Sequence, residues 1–323
     1  MAIDIKALKD LSNDILNKRV SNYAQCEDAL RKEIIEICGG YWDQYSFFEN
    51  RYKIFRIISE TVGEKLHRLT EDAFSMFCDY ENWTFGDKKE FTVKNSDLFR
   101  VANIANGKNS TRRQRLRGKK VPTETFNLAI AIYEEFDRFI TGRIDWTEMV
   151  ERVAASLQNQ IAINIATSIE QSYSSVNANL KLTSAYDEKS LKEIVNKVKG
   201  ATGETVTIFG SAEAVGLIEG VGADLDKDDK RNFGYIKNLG GTQVVELPNY
   251  YDKDKDDWAL SNDLLYIIPN GEKIVKLGLE GDPNIIESTD IAARDDQQIE
   301  MFMSQKMHLA ILVASTYGMY KVV

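Results

Sequence analysis

The chain has 323 residues, of which 43% are hydrophobic and 28% charged, and its formal net charge at pH 7 is −9. This composition is typical of a soluble globular protein with room for two or more domains, and no apolar run is long enough to span a membrane. The negative charge argues against tight general binding to nucleic acid, and the N-terminus lacks the basic region and apolar core of a secretory signal.

Residues 3–80 have the apolar spacing of α-helices and contain no proline. Ile54, Ile58 and Val62, for example, recur at four-residue steps and define one helix face. We therefore predict a helical N-terminal region over residues 1–83. Two arrangements remain open for it: a small bundle with an aromatic core, or a long arm that wraps over a neighbouring subunit.

Residues 84–142 are predicted to form an extended β-ribbon with a basic tip. A strand-like run over residues 91–104 ends at Asn106-Gly107, which favours a turn, and a second run returns over residues 126–133. Residues 108–120 include seven cations and no acid: Lys108, Arg112, Arg113, Arg115, Arg117, Lys119 and Lys120. Because two strands alone are marginally stable in water, the ribbon needs a neighbour. The pattern therefore indicates assembly rather than catalysis.

The strongest helix signal follows the ribbon, because no glycine or proline occurs between Gly142 and Gly200. Asp145 stands where an N-cap is expected, and Glu148 adds an acid to the first turn. Apolar residues line one face of the predicted helix: Trp146, Val150, Val153, Leu157, Ile161, Ile165 and Ile169. A helix over residues 146–175 would be about 45 Å long, which suits a beam that crosses the subunit.

The remaining sequence is predicted to form a separate α/β domain and a group of strands. Within residues 186–261, strands are predicted at 204–209 and 242–247, with a turn and a helix over 210–219. Residues 262–323 return to strand-like runs.

Two acidic runs are predicted to be solvated loops. They contain Asp224, Asp226, Asp228 and Asp229 in the first run, and Asp252, Asp254, Asp256 and Asp257 in the second. The first run resembles the start of a calcium-binding loop, but it has Asp229 where glycine is required and Tyr235 where glutamate is required. We expect these acids to serve as counterparts of the basic ribbon tip on another copy of the chain.

Residues suited to catalysis are scarce. The two histidines, His67 and His308, occur in helical or apolar surroundings, where a structural role is expected. The three cysteines lack the spacing of zinc ligands, and their odd number in a non-secreted protein indicates reduced thiols. Residues 209–216 follow a strand and open a helix, but they lack the Gly-Lys-Ser/Thr ending of a phosphate loop. We therefore predict no catalytic residue, no cofactor and no metal, and the chain does not read as an enzyme.

The order of these parts resembles a known family. The marks are the ribbon that leads into Gly142-Arg143-Ile144-Asp145, the predicted return strand at residues 241–248, and the closing segment at residues 314–320. Over roughly residues 70–323 the order is similar to that of the major capsid proteins of tailed bacteriophages, which share the Hong Kong 97-type (Johnson) fold.

The resemblance implies an α+β Hong Kong 97-type fold with a helical N-terminal arm over residues 1–83 and an extended loop over residues 84–142. A peripheral domain would combine residues 143–185, which include the spine helix, with residues 262–323. Residues 186–261 would form the axial domain.

The same resemblance implies a virion protein that is made in the cytoplasm of a bacterial host. Copies of the chain would form pentamers and hexamers of an icosahedral shell around double-stranded DNA, which they bind non-specifically, and portal and scaffolding proteins would be further partners; no membrane is involved. One alternative is an encapsulin-type nanocompartment shell. More distant alternatives are a cytoplasmic enzyme that holds a phosphate at Phe209-Gly210-Ser211, and a nucleic-acid-binding module built around the basic tip.

Overall fold

The computed structural model describes residues 23–41, 43–87, 90–94, 101, 113–114, 117–133, 146–219, 224–252, 256–271, 273–287, 300–312 and 316–323. These residues form an α+β protein in which helices pack against β-sheets. The α-helices are α1 (Tyr23–Ile37), α2 (Gln44–Phe74), α3 (Trp146–Ser172), α4 (Glu188–Thr202), α5 (Ala212–Gly216) and α6 (Asp224–Phe233). The strands are β1 (Cys78–Trp83), β2 (Glu90–Lys94), β3 (Arg117–Pro122), β4 (Glu124–Tyr133), β5 (Lys181–Ser184), β6 (Val206–Gly210), β7 (Asn238–Leu239), β8 (Thr242–Glu246), β9 (Tyr251–Asp252), β10 (Asp257–Trp258), β11 (Leu264–Pro269), β12 (Val275–Glu287), β13 (Glu300–Ile311) and β14 (Gly318–Val322).

One sheet has four strands in the order β1-β12-β13-β4. Strand β1 runs parallel to β12, whereas β13 is antiparallel to both β12 and β4. Because side chains alternate along a strand, Leu277, Leu279 and Met307 point to one face of this sheet, where they are fully buried. Helices α2 and α3 pack on that face, so it forms the main hydrophobic core.

Helices α1 and α2 confirm the helical pattern of the N-terminal region. A capping box starts α2: the Asp43 carboxylate accepts a hydrogen bond from the Ser46 backbone N–H at 2.7 Å, and the Ser46 hydroxyl accepts one from the Asp43 N–H at 3.3 Å. Because α2 packs against β12 and α3, residues 44–74 belong to the core of their own subunit. The predicted helical region is too long, however, because residues 78–83 form strand β1.

The long helix is present as predicted. Helix α3 spans Trp146–Ser172, and a 3-10 turn continues it over Tyr173–Ser175. Val150 and Ile161 on its apolar stripe are fully buried against α2 and the four-stranded sheet. The predicted N-cap residue, Asp145, lies outside the described residues.

A second sheet has six strands in the order β5-β14-β11-β6-β8-β7. Helix α4 packs on it, and a separate hydrophobic cluster that includes Ile194, Ile208, Leu265 and Tyr320 lies between them. This sheet does not follow the predicted division of the chain, because β5 lies within residues 143–185 and β11 and β14 lie within residues 262–323, the two stretches predicted for the peripheral domain. The partners of β11 and β14, which are β6 and β5, are distant in the sequence, and only the fold brings them together.

Tyr320 ties β14 to the segment before α4. Its side chain is fully buried, and its hydroxyl donates to the carbonyl of Ala185 at 2.7 Å and accepts from the N–H of Asp187 at 3.0 Å. We expect Tyr320→Phe to lower the free energy of unfolding by about 1–3 kcal/mol, because it removes the hydroxyl of a fully buried side chain that pairs with two backbone groups at once.

Chemical denaturation with a matched variant checks this expectation. The hydroxyl of Tyr173 bonds to that of Thr183 at an exposed position, at 2.7 Å, and reaches the carbonyl of Leu182 only at a long 3.4 Å, so water can largely replace its bonds. Tyr173→Phe should therefore change the free energy of unfolding by no more than about 0.5 kcal/mol. Equal losses in the two variants would contradict the role assigned to Tyr320.

Candidate assembly surfaces

The described part of the ribbon consists of the two strands β2 and β3. Strands β2 and β3 pair antiparallel, with Glu90 opposite Pro122 and Lys94 opposite Arg117. The return run at residues 126–133 does not continue this ribbon, which corrects the prediction for residues 84–142. It lies in β4, which pairs with β13 along its whole length and buries Leu128 in the core.

The seven basic residues predicted at the ribbon tip fall into different places. Three of them lie outside the described residues: Lys108, Arg112 and Arg115. Arg113 is exposed, whereas Arg117 and Lys119 lie within strand β3 and so belong to the paired part of the ribbon. Lys120 is also in β3 and forms an exposed ion pair with Glu90 across the ribbon, with 2.9 Å between Nζ and Oε2. That pair helps to fix the register of the ribbon, although exposed pairs contribute only about 0–1 kcal/mol.

An aromatic cluster pins the base of the ribbon to the four-stranded sheet. The rings of Trp83 and Phe91 lie 4.9 Å apart between centroids, and Ala310 and Val121 pack against them. Beneath the indole lies Gly278, where an added Cβ would come within 2.7 Å of the ring. The close approach of indole and sheet therefore requires glycine. This cluster occupies the face opposite α2 and α3, because Gly278 alternates with the core residues of β12.

A buried polar group lies beside the aromatic cluster. Nε2 of His308 is 3.1 Å from Oε2 of Glu280, and Nδ1 of His308 is 3.1 Å from Oγ1 of Thr125. Both side chains are almost completely buried, and the indole of Trp83 packs against the imidazole with centroids 5.4 Å apart. The group links β12, β13 and β4 under the ribbon base. The apolar surroundings of His308 in the sequence predict a structural role. Its partners cannot be predicted from the sequence, because they lie on other strands.

A partly buried ion pair lies on the same face of the sheet. The ammonium of Lys276, a side chain only 6% exposed, is 2.8 Å from Oδ2 of Asp79. This pair connects β1 to β12, where the two residues are directly opposite each other. The face under the ribbon thus contains paired charges, whereas the other face is apolar.

The other histidine, His67, lies on the helix side of the sheet. Its Nδ1 is hydrogen-bonded to the hydroxyl of Tyr80, and its Nε2 is 3.4 Å from the amide nitrogen of Asn82. Burial lowers the pKa of His67, which favours a neutral imidazole that fastens α2 to β1.

The first acidic run is helical and not a loop, which corrects the prediction. Asp224, Asp226, Asp228 and Asp229 all lie in α6. Acids at the start of a helix interact favourably with its dipole, and Lys230 and Arg231 occupy the last turn, so the charge pattern favours the helix.

The second acidic run is only partly exposed. Asp252 is buried in β9, opposite Asp257 in β10, so it is not available to a neighbour as predicted. Asp256 accepts a hydrogen bond from the hydroxyl of Tyr251, and Asp254 lies outside the described residues. Pairing of the exposed acids with basic ribbon residues of another copy stays a prediction.

The candidate phosphate loop is filled by its own side chains. Ser211 is buried and caps α5 by accepting a hydrogen bond from the N–H of Ala214 at 3.2 Å. A Cβ at Gly210 would come within 3.0 Å of the side chain of Leu265, so the turn is closely packed. Helix α5 has only five residues, and its N-terminus is already capped. The geometry therefore does not favour the enzyme alternative.

Among the described residues, no helix is both long and apolar enough to cross a membrane. Groups of three or more histidine, cysteine, aspartate or glutamate side chains that could hold a metal ion are likewise not found in this part of the chain.

Comparison with known families identifies the group to which this architecture belongs. A family model described as "SPbeta prophage-derived putative capsid protein YonB" matches residues 7–321. The chain belongs to this capsid protein family. No curated protein sequence matches the chain.

A solved capsid structure has the same fold at very low sequence identity. The satellite phage P4 procapsid, which includes the size determination (Sid) protein, matches with a TM-score of 0.50 and 8% identity over 80% of this chain and 90% of that chain. A virus-like particle from Pyrococcus furiosus matches with a TM-score of 0.47 and 11% identity over 81% and 98%, respectively. The predicted Hong Kong 97-type fold is confirmed.

Proposed function

We propose that this chain is the major capsid protein of a tailed bacteriophage or prophage, and that its copies form the pentamers and hexamers of an icosahedral shell around double-stranded DNA. The family match over residues 7–321 is the observation that carries this proposal. Capsid proteins of this family are structural proteins, so the chain acts through contacts between copies rather than through catalysis. Portal and scaffolding proteins are expected as further partners in the virion.

The two sheets, each with its own hydrophobic cluster, support a subunit with a peripheral and an axial domain. The four-stranded sheet with α2 and α3 corresponds to the peripheral domain, and α3 corresponds to its spine helix. The six-stranded sheet with α4, including β11 and β14, corresponds to the axial domain, which would meet its copies at the symmetry axes. Compared with the predicted range of residues 186–261, the proposed axial domain includes three more strands: β5, β11 and β14.

Two features of the ribbon support a role in assembly: its base is attached to the four-stranded sheet, and its sequence is rich in basic residues. Its base is fixed by Trp83 and Phe91, so strands β2 and β3 are held at a defined position on the sheet. A ribbon that lies across the next subunit makes a heterologous contact, which closes into a ring when the rotation permits. Its basic residues would then meet acids of that subunit.

Negative-stain electron microscopy of the purified chain, followed by nuclease treatment and analysis of the particle contents, tests the proposal. Closed icosahedral shells are expected. Enclosed DNA would distinguish a phage capsid from an encapsulin-type shell, which would contain a cargo protein. Small uniform oligomers at all salt concentrations would overturn the proposal.

Neutralising the ribbon arginines should impair shell formation and leave the subunit folded. The variant replaces Arg112, Arg113, Arg115 and Arg117 by glutamine. Its shells should be fewer and more sensitive to salt, because paired surface charges are screened by salt. Shell yield from light scattering and microscopy is the measurement, and circular dichroism verifies the fold.

A control variant removes the same amount of charge elsewhere. It replaces four exposed cations on the helices by glutamine: Lys32, Arg68, Arg152 and Lys197. If this variant and the ribbon variant assemble equally well, the ribbon charges have no specific role.

A further inference from the structure

Helix α2 carries a stripe of side chains that the described residues leave exposed. Tyr45, Glu49, Tyr52 and Arg56 follow each other at three- and four-residue steps and so share one helix face. Tyr45 is 83% exposed and Tyr52 71%, although tyrosine usually buries much of its ring. The opposite face of the same helix is buried in the core through residues such as Ile54.

The stripe is ordered by the helix itself. The guanidinium of Arg51 lies over the ring of Tyr52, 5.1 Å from its centroid, and holds the ring against the helix surface. Nε of Arg56 is 2.9 Å from a carboxylate oxygen of Glu60, one turn further on. Exposed aromatic rings that are already held in place lose little entropy on binding, and tyrosine and arginine are enriched in protein interfaces.

We propose that this stripe binds the same stripe of a second copy, with the two α2 helices antiparallel about a twofold axis. The inference rests on the proposed function, because a closed shell requires contacts between copies. It adds a contact that lies on the N-terminal helices and involves neither the ribbon nor the axial domain.

The order of side chains along the stripe fits this symmetry. With the twofold axis between Glu49 and Tyr52, Tyr45 of each copy faces the guanidinium of Arg56 of the other, which suits a cation–π contact. Glu49 then faces the hydroxyl of Tyr52, which can donate a hydrogen bond to the carboxylate. Both contacts occur twice, as an isologous interface requires.

The charges of the stripe favour another copy of the chain as its occupant. Along this side of the helix Glu49 and Glu60 are balanced by Lys53 and Arg56, so two stripes can meet without the repulsion expected between molecules of net charge −9. The stripe is also small compared with interfaces that hold isolated dimers together. It would therefore act within an assembled shell, where other contacts raise the effective concentration of the two helices.

Cysteine crosslinking in assembled shells tests the inference. In the proposed pairing, residue 52 of one copy lies beside residue 52 of the other, so Tyr52→Cys should give a chain-to-chain dimer with a short bismaleimide. Asp72→Cys is the matched control, because this side chain is exposed on the same helix about 30 Å further along. It should give no dimer. The unmodified chain controls for the native cysteines.

The outcomes are distinct for the contact and for the function. Shells without a Tyr52→Cys dimer, or equal dimers from both variants, would overturn the paired helices while the capsid function stands. If microscopy shows that the unmodified chain forms no shells, the proposed function is contradicted without any crosslinking, and the inference fails with it.

A second comparison separates the aromatic rings from their hydroxyl groups. Replacing Tyr45 by serine should reduce both the shell yield and the crosslinking at residue 52, whereas Tyr45→Phe should retain both, because phenylalanine keeps the ring that faces Arg56. Equal loss in the serine and phenylalanine variants would contradict the cation–π contact. Circular dichroism of the unassembled subunits verifies that the helix is intact.

Discussion

Replacing Trp83 by alanine is expected to lower the free energy of unfolding by about 3–5 kcal/mol and to release the base of the ribbon. The indole is buried between Gly278, Phe91 and the imidazole of His308, so its removal leaves a cavity that the rigid sheet cannot fill. Chemical denaturation measures the loss of stability, and hydrogen exchange over residues 84–94 and 117–123 measures the release of the ribbon.

The glycine beneath the indole provides the matched test. Gly278→Ala should destabilise the subunit by about 1–3 kcal/mol, because the new methyl group would overlap the ring of Trp83. In the Trp83→Ala background the same change should cost much less, since the obstructing ring is gone. Additive losses in this double-mutant cycle would show that the two positions are not in contact and would contradict the described anchor.

Removing the carboxylate of Glu280 is expected to have the second large effect. Glu280→Ala takes away the hydrogen-bond partner of Nε2 in the buried imidazole of His308, and the loss of such a buried partner typically costs about 1–3 kcal/mol. Glu280→Gln should cost less, because its amide oxygen can still accept a hydrogen bond from Nε2 of His308. Urea denaturation of the two variants measures the difference.

An exposed ion pair on the ribbon serves as the comparison for the buried Glu280 of β12. Lys120→Gln breaks an exposed pair with Glu90, for which about 0–1 kcal/mol is expected. A loss of this small size in Glu280→Ala would mean that the pair with His308 contributes little to the stability of the sheet.

Local sequence patterns predicted the helices well. The long run without glycine or proline and the regular apolar stripe gave α3 nearly to the residue, because both signals are contained in the helix itself. Helix α6 escaped prediction, since its first six residues include four acids and only one apolar side chain, and this pattern equally suits a solvated loop.

Strand partners could not be read from the sequence in the same way. The alternating pattern of residues 126–133 suits a ribbon strand and a sheet strand equally well, because alternation describes the faces of a strand and not its neighbours. The structure pairs this run with β13, which lies far away in the sequence. For the same reason, the sequence does not show that β11 pairs with β6 or that β14 pairs with β5.

The candidate site was predictable only in its charge. A cluster of basic residues is visible in any reading of residues 108–120. The contact that anchors the ribbon cannot be predicted from the sequence, because Trp83 and Gly278 are far apart and no local feature marks them as a pair. The tyrosine stripe of α2 was likewise hidden, since tyrosines in a helical pattern are expected to be part of the core.

The position of β14 between β5 and β11 links assembly to translation. Neither β5 nor the outer edge of β11 is paired until residues 318–322 have left the ribosome, and β1 must wait for β12 in the other sheet. A nascent chain therefore exposes open strand edges and cannot yet present finished surfaces to other copies. Synthesis through residue 322 is therefore needed before the six-stranded sheet has all its strands, and we expect contacts between copies to form only after that point.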